Sequence, residues 1–469
     1  MRIGHRTAAT AAALLLTAIS LLTAPGAAAD DPAQPQRLTG TVAGVPFAVR
    51  LPPNWNGELL LWSHAFTTPG GSPQLIDTDA DHPQLTDWLL AHGYALAGTD
   101  FPSSPWPTPA MADAQLALVN WFTANVGKPR QVIAWGKSLG GALTAVLAER
   151  HPDRITAALP MCGDVAGAVA ADNALLDVAF AAKTLLFEND PVQLTGIEDP
   201  AANQDRANTL LRAAALGTPQ QQARLALANA FGPIPGWADS LDSRPVDPAE
   251  QVIHQYLYDR YQIGAFLFGF GRTQLETELG GNPSWTTGVD YRAQLAGSSG
   301  RDEVTELYRR AGLDLDADLA RLNAAPRIKP DTKAAARLAL EGNLTGLITR
   351  PTLTLHSSGD GTAPVEAERW YGDRIAALHR SERLRQVYVE RANHCFFTAA
   401  EELTALQSLF DRLRTGHWPD VSPTALNTRA DAYGPGFRTM WSYYQEGTRT
   451  VENAFTDLRP GPFPRPFPY

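Results

Sequence analysis

Five residues, Gly136-Lys137-Ser138-Leu139-Gly140, constrain this chain more than any others, because they stand between a strand-like run (QVIAW) and an Ala/Leu helical run (GALTAVLAER). The bare G-x-S-x-G spelling carries little: with 38 Gly among 469 residues, roughly 0.2 such matches arise by chance. Its position carries more. A strand that turns at once into a helix brings backbone segments so close that a Cβ at either glycine collides with a neighbour. The serine between them is lifted clear of the sheet, and the Leu139 N–H is left free at a helix start, where it can meet a developing oxyanion. The competing reading is a glycine-rich helix start with no chemistry.

The flanking pattern is that of a layered α/β domain. Apolar and polar residues alternate from Arg37 to Pro52 around Gly44, which predicts an opening antiparallel hairpin. Gly57 to Phe66, Tyr94 to Phe101, Gln131 to Trp135 and Ile155 to Met161 are continuous apolar runs of the kind buried on both faces. Helical periodicity lies between them, at Ala110 to Val126 and Leu139 to Arg150. Such alternation predicts a mostly parallel sheet with helices on both faces.

After Gly163 the character changes. An Ala- and Leu-rich stretch runs to about Asn343 and reads as wholly helical, with expected helices at Val165 to Phe187, Asp205 to Leu216, Gln220 to Phe231, Ala249 to Phe270 and Glu303 to Leu322. Strand character returns at Pro351 to Ser357 and Leu384 to Glu390, with helices at Val365 to His379 and Glu401 to Arg414. The plan is therefore a core of residues 30–164 and 347–416, interrupted by a helical cap over 165–346. Residues 417–469 are aromatic and end Pro-rich (GPFPRPFPY), which predicts an extended segment wrapping the surface.

Residues 1–29 have a basic start (Arg2, Arg6), an apolar stretch from Ala8 to Leu22 and small residues at Ala27 and Ala29, the pattern of a cleaved secretory leader. The expected destination is extracellular, with no membrane association after the leader is removed. The remaining chain carries 37 basic against 49 acidic side chains, a balance of −12, so nucleic acid is disfavoured as a partner. Only Cys162 and Cys395 are present, and no Cys/His cluster has zinc spacing, so neither a disulfide-held miniprotein nor a structural metal is expected.

A serine hydroxyl needs a base, and the base needs an orienting acid. Two later strand ends offer them: Asp360 in HSSGDGTAP and His394 in ERANHCFF. Of the ten histidines, His394 alone follows the last predicted strand; His356 falls inside a strand, and His92 and His151 sit at helix ends or turns. Asp164, after the strand beside the nucleophile, competes with Asp360 for the acid, and Lys137 suggests a Ser–Lys pair that divergence of adjacent residues at such a turn disfavours.

The elbow, the acid turn and the late histidine, in the order Ser, Asp, His, resemble the α/β-hydrolase family over Arg37 to Gly163 and Leu347 to Thr415. The resemblance implies Ser138 as nucleophile, His394 as general base then acid, Asp360 as its orienter, and no cofactor. WSHAF, Trp62 to Phe66, matches the family's His-Gly oxyanion loop with Ala65 in place of Gly; the Phe66 N–H is assigned beside Leu139 as the second donor, with Ala65 the nearest substitute. In this topology the Cys162 and Cys395 loops approach each other, and a disulfide there would pin the His394 loop; two buried thiols are the alternative.

The expected function is secreted hydrolysis of a small or polymeric carboxylic ester through an acyl-enzyme. A peptidase of the same fold is the first rival, with Glu188, Asp190 and Glu198 as candidates to hold a substrate amine; a non-catalytic binding protein on a hydrolase scaffold is the second. Trp62 and Trp106 are expected to line the pocket, whereas the aromatic stripe Tyr256 to Phe270 reads mainly as helix core.

Overall fold

The computed structural model describes residues 34–67, 82–241, 243–442 and 447–467; the expected leader lies outside these. The β-elements are β1 (Gln36–Val42), β2 (Val45–Leu51), β3 (Glu58–Ser63), β4 (Ala95–Thr99), β5 (Gln131–Lys137), β6 (Ala157–Met161), β7 (Thr352–Gly359), β8 (Leu384–Ala392), β9 (Thr439–Ser442), β10 (Gly447–Thr450) and β11 (Phe455–Thr456). One sheet takes the order β1-β2-β4-β3-β5-β6-β7-β8-β11, and β9 pairs with β10 apart from it. From β4 through β8 every neighbouring pair is parallel, while β2 runs antiparallel to β1 and β4, and β11 antiparallel to β8.

Period-two geometry explains why the central strands read as unbroken apolar runs. In β3, Leu59 and Leu61 pack with residues of α2 (Pro109–Asn125) and α3 (Leu139–Arg150), preceded in the chain by α1 (Pro83–Ala91). Leu60 and Trp62 face the other way, with Leu85 and Leu89 of α1. Both faces being covered, each position must be apolar, and burying each such side chain is worth about 1.5–3 kcal/mol.

Between β6 and β7 lie α4 (Ala168–Leu186), α5 (Pro200–Ala215), α6 (Pro219–Asn229), α7 (Pro248–Tyr261), α8 (Gly264–Phe268), α9 (Phe270–Leu279), α10 (Tyr291–Gly297), α11 (Arg301–Ala311), α12 (Leu315–Ala324) and α13 (Thr332–Gly342). They build a core of their own around Phe180, Phe231, Tyr258 and Tyr308. Two expected helices are broken. Gly312 (φ 64°) ends α11 in the left-handed conformation and Asp314 caps α12, which splits Glu303 to Leu322. The span Ala249 to Phe270 breaks after Tyr261, and the close approach of Gly264 to Asp259 leaves no room there for a side chain.

After β7 come α14 (Glu366–Ala377), α15 (Ala399–Thr415) and α16 (Pro423–Asp431). Thr398 and Glu401 form a capping box that starts α15 one short loop after β8. The last segment does more than lie along the surface as extended chain: it forms α16, a small hairpin and β11, and it buries Phe463 beside Tyr371 and Ile375 of α14.

Candidate active site

Ser138 occupies φ 57°, ψ −124°, a conformation costing a non-glycine residue on the order of 1–3 kcal/mol. The glycines around it explain how the turn is tolerated. A Cβ on Gly136 would lie 2.5 Å from the Ser63 carbonyl oxygen, and one on Gly140 would run into the Ser63 and His64 carbonyls. The Ser138 N–H donates to the Met161 carbonyl of β6 at 3.0 Å, which ties the turn to the neighbouring strand.

Three groups distant in sequence meet there. His394 Nε2 is 2.7 Å from Ser138 Oγ, and His394 Nδ1 lies 2.9 and 2.8 Å from the two carboxylate oxygens of Asp360. An ionised carboxylate only accepts, so the proton sits on Nδ1 and leaves Nε2 to accept from the serine hydroxyl. Asp360 is 2% exposed, and its Oδ1 also accepts the Thr362 and Ala363 N–H groups at 2.9 and 3.0 Å. That carboxylate is therefore fixed from two sides.

Cys162 and Cys395 form a disulfide across 233 residues, one partner at the end of β6 and the other next to His394. Both half-cystines and Asn393 have positive φ (44°, 56° and 73°), so the segment carrying the imidazole has a tightly bent backbone. Behind the carboxylate, the buried His356 Nδ1 is 3.2 Å from Glu368 and its Nε2 2.8 Å from the Ala363 carbonyl. Burial alone would lower its pKa, but Glu368, with help from Asp360 and the carbonyl, outweighs that and raises it to about 9. This histidine is the packed residue its strand position predicts.

The oxyanion candidates border the same space. Leu139, at the start of α3, and Ala65 and Phe66, after β3, all line the cavity that Ser138 and His394 face. His64 secures that loop: its imidazole bridges the Ala65 and Phe101 carbonyls at 2.7 and 3.1 Å and stacks on the Phe101 ring, and burial lowers its pKa. Lys137 points elsewhere. Its ammonium lies 2.6 Å from Glu402 of α15, so no Ser–Lys pair is made.

The cavity measures about 930 Å³. Trp106 lines it as expected; Trp62 does not, because its ring packs edge-on against Trp135 at 4.5 Å inside the sheet. The stripe from Tyr256 to Phe270 divides: Tyr256, Tyr258 and Phe268 are core, while Leu257, Gln262, Ile263 and Phe266 form cavity wall. Helix α4 adds a face of Ala168, Ala171, Asp172 and Leu175, the i, i+3, i+4, i+7 spacing of one side of a helix. Asp164 and Asp172 thus line the space, and burial raises their pKa values to about 6 and about 7, against the pull of His394 on Asp164 and of Arg272 on Asp172. The three acids picked from sequence for an amine do not line it. Glu188 pairs with Arg321 at 2.7 Å, Asp190 with Arg206 at 2.6 Å, and Glu198 is exposed.

The strand order and the strained turn after β5 describe the α/β-hydrolase fold. The chain is 28% identical over 420 residues to an o-phthalyl amidase from Xanthobacter agilis, a match covering 84% of this chain and 90% of that protein. No protein-family model matches. Similar solved structures include feruloyl esterase B from Aspergillus oryzae, with a TM-score of 0.39, 15% identity and 82% of each chain covered. A serine hydrolase from Cycloclasticus zankles gives a TM-score of 0.36 at 14% identity, covering 82% of this chain and 100% of that one. For the acylaminoacyl peptidase of Pyrococcus horikoshii the values are 0.33 and 9%, with 78% of this chain and only 38% of the peptidase covered.

Proposed function

We propose that the protein hydrolyses carboxylic esters by acyl transfer, with Ser138 as nucleophile, His394 as base then acid, and Asp360 holding the imidazole. The observation that carries this reading is the unbroken relay from the serine oxygen through His394 to Asp360, with no contact longer than 2.9 Å. Ser138 Oγ attacks the carbonyl carbon while its proton passes to Nε2. The tetrahedral oxyanion takes hydrogen bonds from the Leu139 and Phe66 N–H groups. Collapse breaks the bond to the alcohol, which leaves with the proton from Nε2. Water, deprotonated by the same nitrogen, then releases the acid and restores the serine. None of these steps calls on a cofactor.

The leader pattern, together with a disulfide, supports export to the extracellular side; among the described residues no helix is long and apolar enough to cross a membrane. The division into a core of 30–164 and 347–416, a helical cap of 165–346 and an extension of 417–469 is part of the same proposal.

A second reading, cleavage of an amide, is favoured by two observations. The Xanthobacter agilis relative is named an amidase, and Asp164 and Asp172 put carboxyl groups in the cavity, where a substrate amine would find a partner. Covalent labelling of Ser138 by a fluorophosphonate, with the Ser138→Ala variant as control, tests the nucleophile. A panel of nitrophenyl esters and of nitroanilides with free or blocked amines then separates the readings. Ester turnover lost in Ser138→Ala is expected; turnover and labelling that survive it would end the proposal.

A further inference from the structure

Helix α7 of the insertion reaches the catalytic end of the sheet with two side chains one turn apart, Tyr258 and the C-cap residue Gln262. Tyr258 is fully buried. Its hydroxyl accepts from the Asn393 N–H at 2.8 Å and donates to the Gly359 carbonyl, with the Trp237 carbonyl 3.1 Å away. Gly359 directly precedes Asp360, and Asn393 directly precedes His394. The ring also fills the space beside Gly361, where a Cβ would come within 2.6 Å of it.

Gln262 makes a second tie between the same two loops. Its amide N–H donates to Asn393 Oδ1 at 2.5 Å, and its carbonyl oxygen accepts from the Thr362 hydroxyl at 2.6 Å. Both partners lead straight to the relay: Asn393 Oδ1 also accepts the His394 N–H at 2.8 Å, and the Thr362 N–H donates to Asp360 at 2.9 Å. The sheet itself does not set this spacing. The β7–β8 ladder is irregular after Ser357 and has its last pair at Gly359 and Ala392, one residue short of both the carboxylate and Asn393.

We propose that Tyr258 and Gln262 are positioning residues for the acyl-transfer reaction, forming a clamp from the helical insertion that fixes the separation of the Asp360 and His394 loops. The inference rests on the hydrolase reading above. The insertion then belongs to the catalytic apparatus as well as to the pocket wall, since an error of about 1 Å in a catalytic group can cost on the order of 100-fold in rate.

The test uses the full chain, counted by fluorophosphonate titration of Ser138, with Tyr258→Phe and Gln262→Met assayed on a small nitrophenyl ester. Tyr258→Phe is expected to lower kcat per titrated site by about 10- to 100-fold, and Gln262→Met by about 3- to 10-fold, with KM within about twofold of wild type. The acid limb of the pH profile should also move to lower pH in both, because a carboxylate held less squarely on the imidazole stabilises its protonated form less. A purely structural role moves neither quantity and lowers only the melting temperature. Variants that melt lower yet keep wild-type kcat and acid limb overturn the clamp. Should Tyr258→Phe not fold, the half-buried Gln262 position decides alone. A wild-type protein that neither labels at Ser138 nor cleaves esters overturns the hydrolase reading, and the clamp with it.

Discussion

Replacing both half-cystines by serine tests how much of the site depends on the Cys162–Cys395 bond. The bond closes a segment of 233 residues, for which the chain-entropy relation gives about 5 kcal/mol at 25 °C, with realised values more often about 2–4 kcal/mol. At ~2.1 cal/mol/K per residue over the Pro35–Tyr469 unit, the unfolding entropy is ~0.9 kcal/mol/K, so the melting temperature should fall by ~2–6 °C. A second effect is local. Asn393 and Cys395 hold positive φ values on either side of His394, and each such conformation costs on the order of 1–3 kcal/mol unless its surroundings impose it. Without the covalent tether the bend relaxes, and kcat should drop at least ~10-fold. The chain has no other cysteine, so the double variant leaves no stray thiol. Thermal melts and active-site-titrated ester hydrolysis, run well below the lower melting temperature, read the two effects separately. Wild-type melting would refute the entropic reasoning, and an unchanged kcat would refute the tethering of the imidazole.

Two pH effects follow from buried groups outside the relay, one of them, His356, directly behind Asp360. Asp259 of α7 is fully buried, its Oδ1 has no hydrogen-bond partner among the described residues, and burial raises its pKa to about 7 although Asn229 donates to Oδ2 at 3.1 Å. Its neutral form therefore contributes stability that is fully present below pH ~4 and is lost as pH rises through about 7, with a difference on the order of 4 kcal/mol. Asp259→Asn should resist urea better than wild type at pH 8, the gap closing towards pH 4; equal resistance at pH 8 would count against the burial argument. His356 contributes stability present below pH ~6.5 and lost as pH rises through about 9, when the buried imidazolium beside Glu368 gives up its proton. Melting temperature should therefore decline around pH 9 in wild type, and His356→Gln should show no such decline.

The sheet and the meeting of Ser138, Asp360 and His394 at its end are legible in the sequence because their signals are local. Continuous apolar strands, two glycines round a serine, and an acid and a histidine just past strand ends each announce themselves within a few residues. What stayed hidden depends on contacts across the insertion. Tyr258 and Gln262 look like ordinary members of an aromatic helix, and only the arrival of α7 beside Gly359 and Asn393 gives them partners. Asp172 reads as one polar residue in an Ala-rich helix until the face of α4 is known to border the cavity. Trp62 stands near a strand end, where pocket residues are expected, yet its position in the β3 alternation sends the ring inward to Trp135. Lys137 could be read against its neighbour, but the identity of its partner, Glu402, lies 265 positions further on.

The way the chain closes on itself has a bearing on its synthesis. Arg391, at the end of β8, is held by Glu401 and by the Glu452 carbonyl, and β11 then completes the sheet edge beside β8. Further along, Arg465 places its guanidinium 2.7 Å from the buried carboxylate of Asp177 and over the Trp285 ring, so the insertion receives its counter-charge from almost the last residues described. A nascent chain some 450 residues long would lack both the edge strand and that charge, leaving Asp177 buried without its cation. Such a polypeptide should settle into its final packing only once residues up to about 465 have been made.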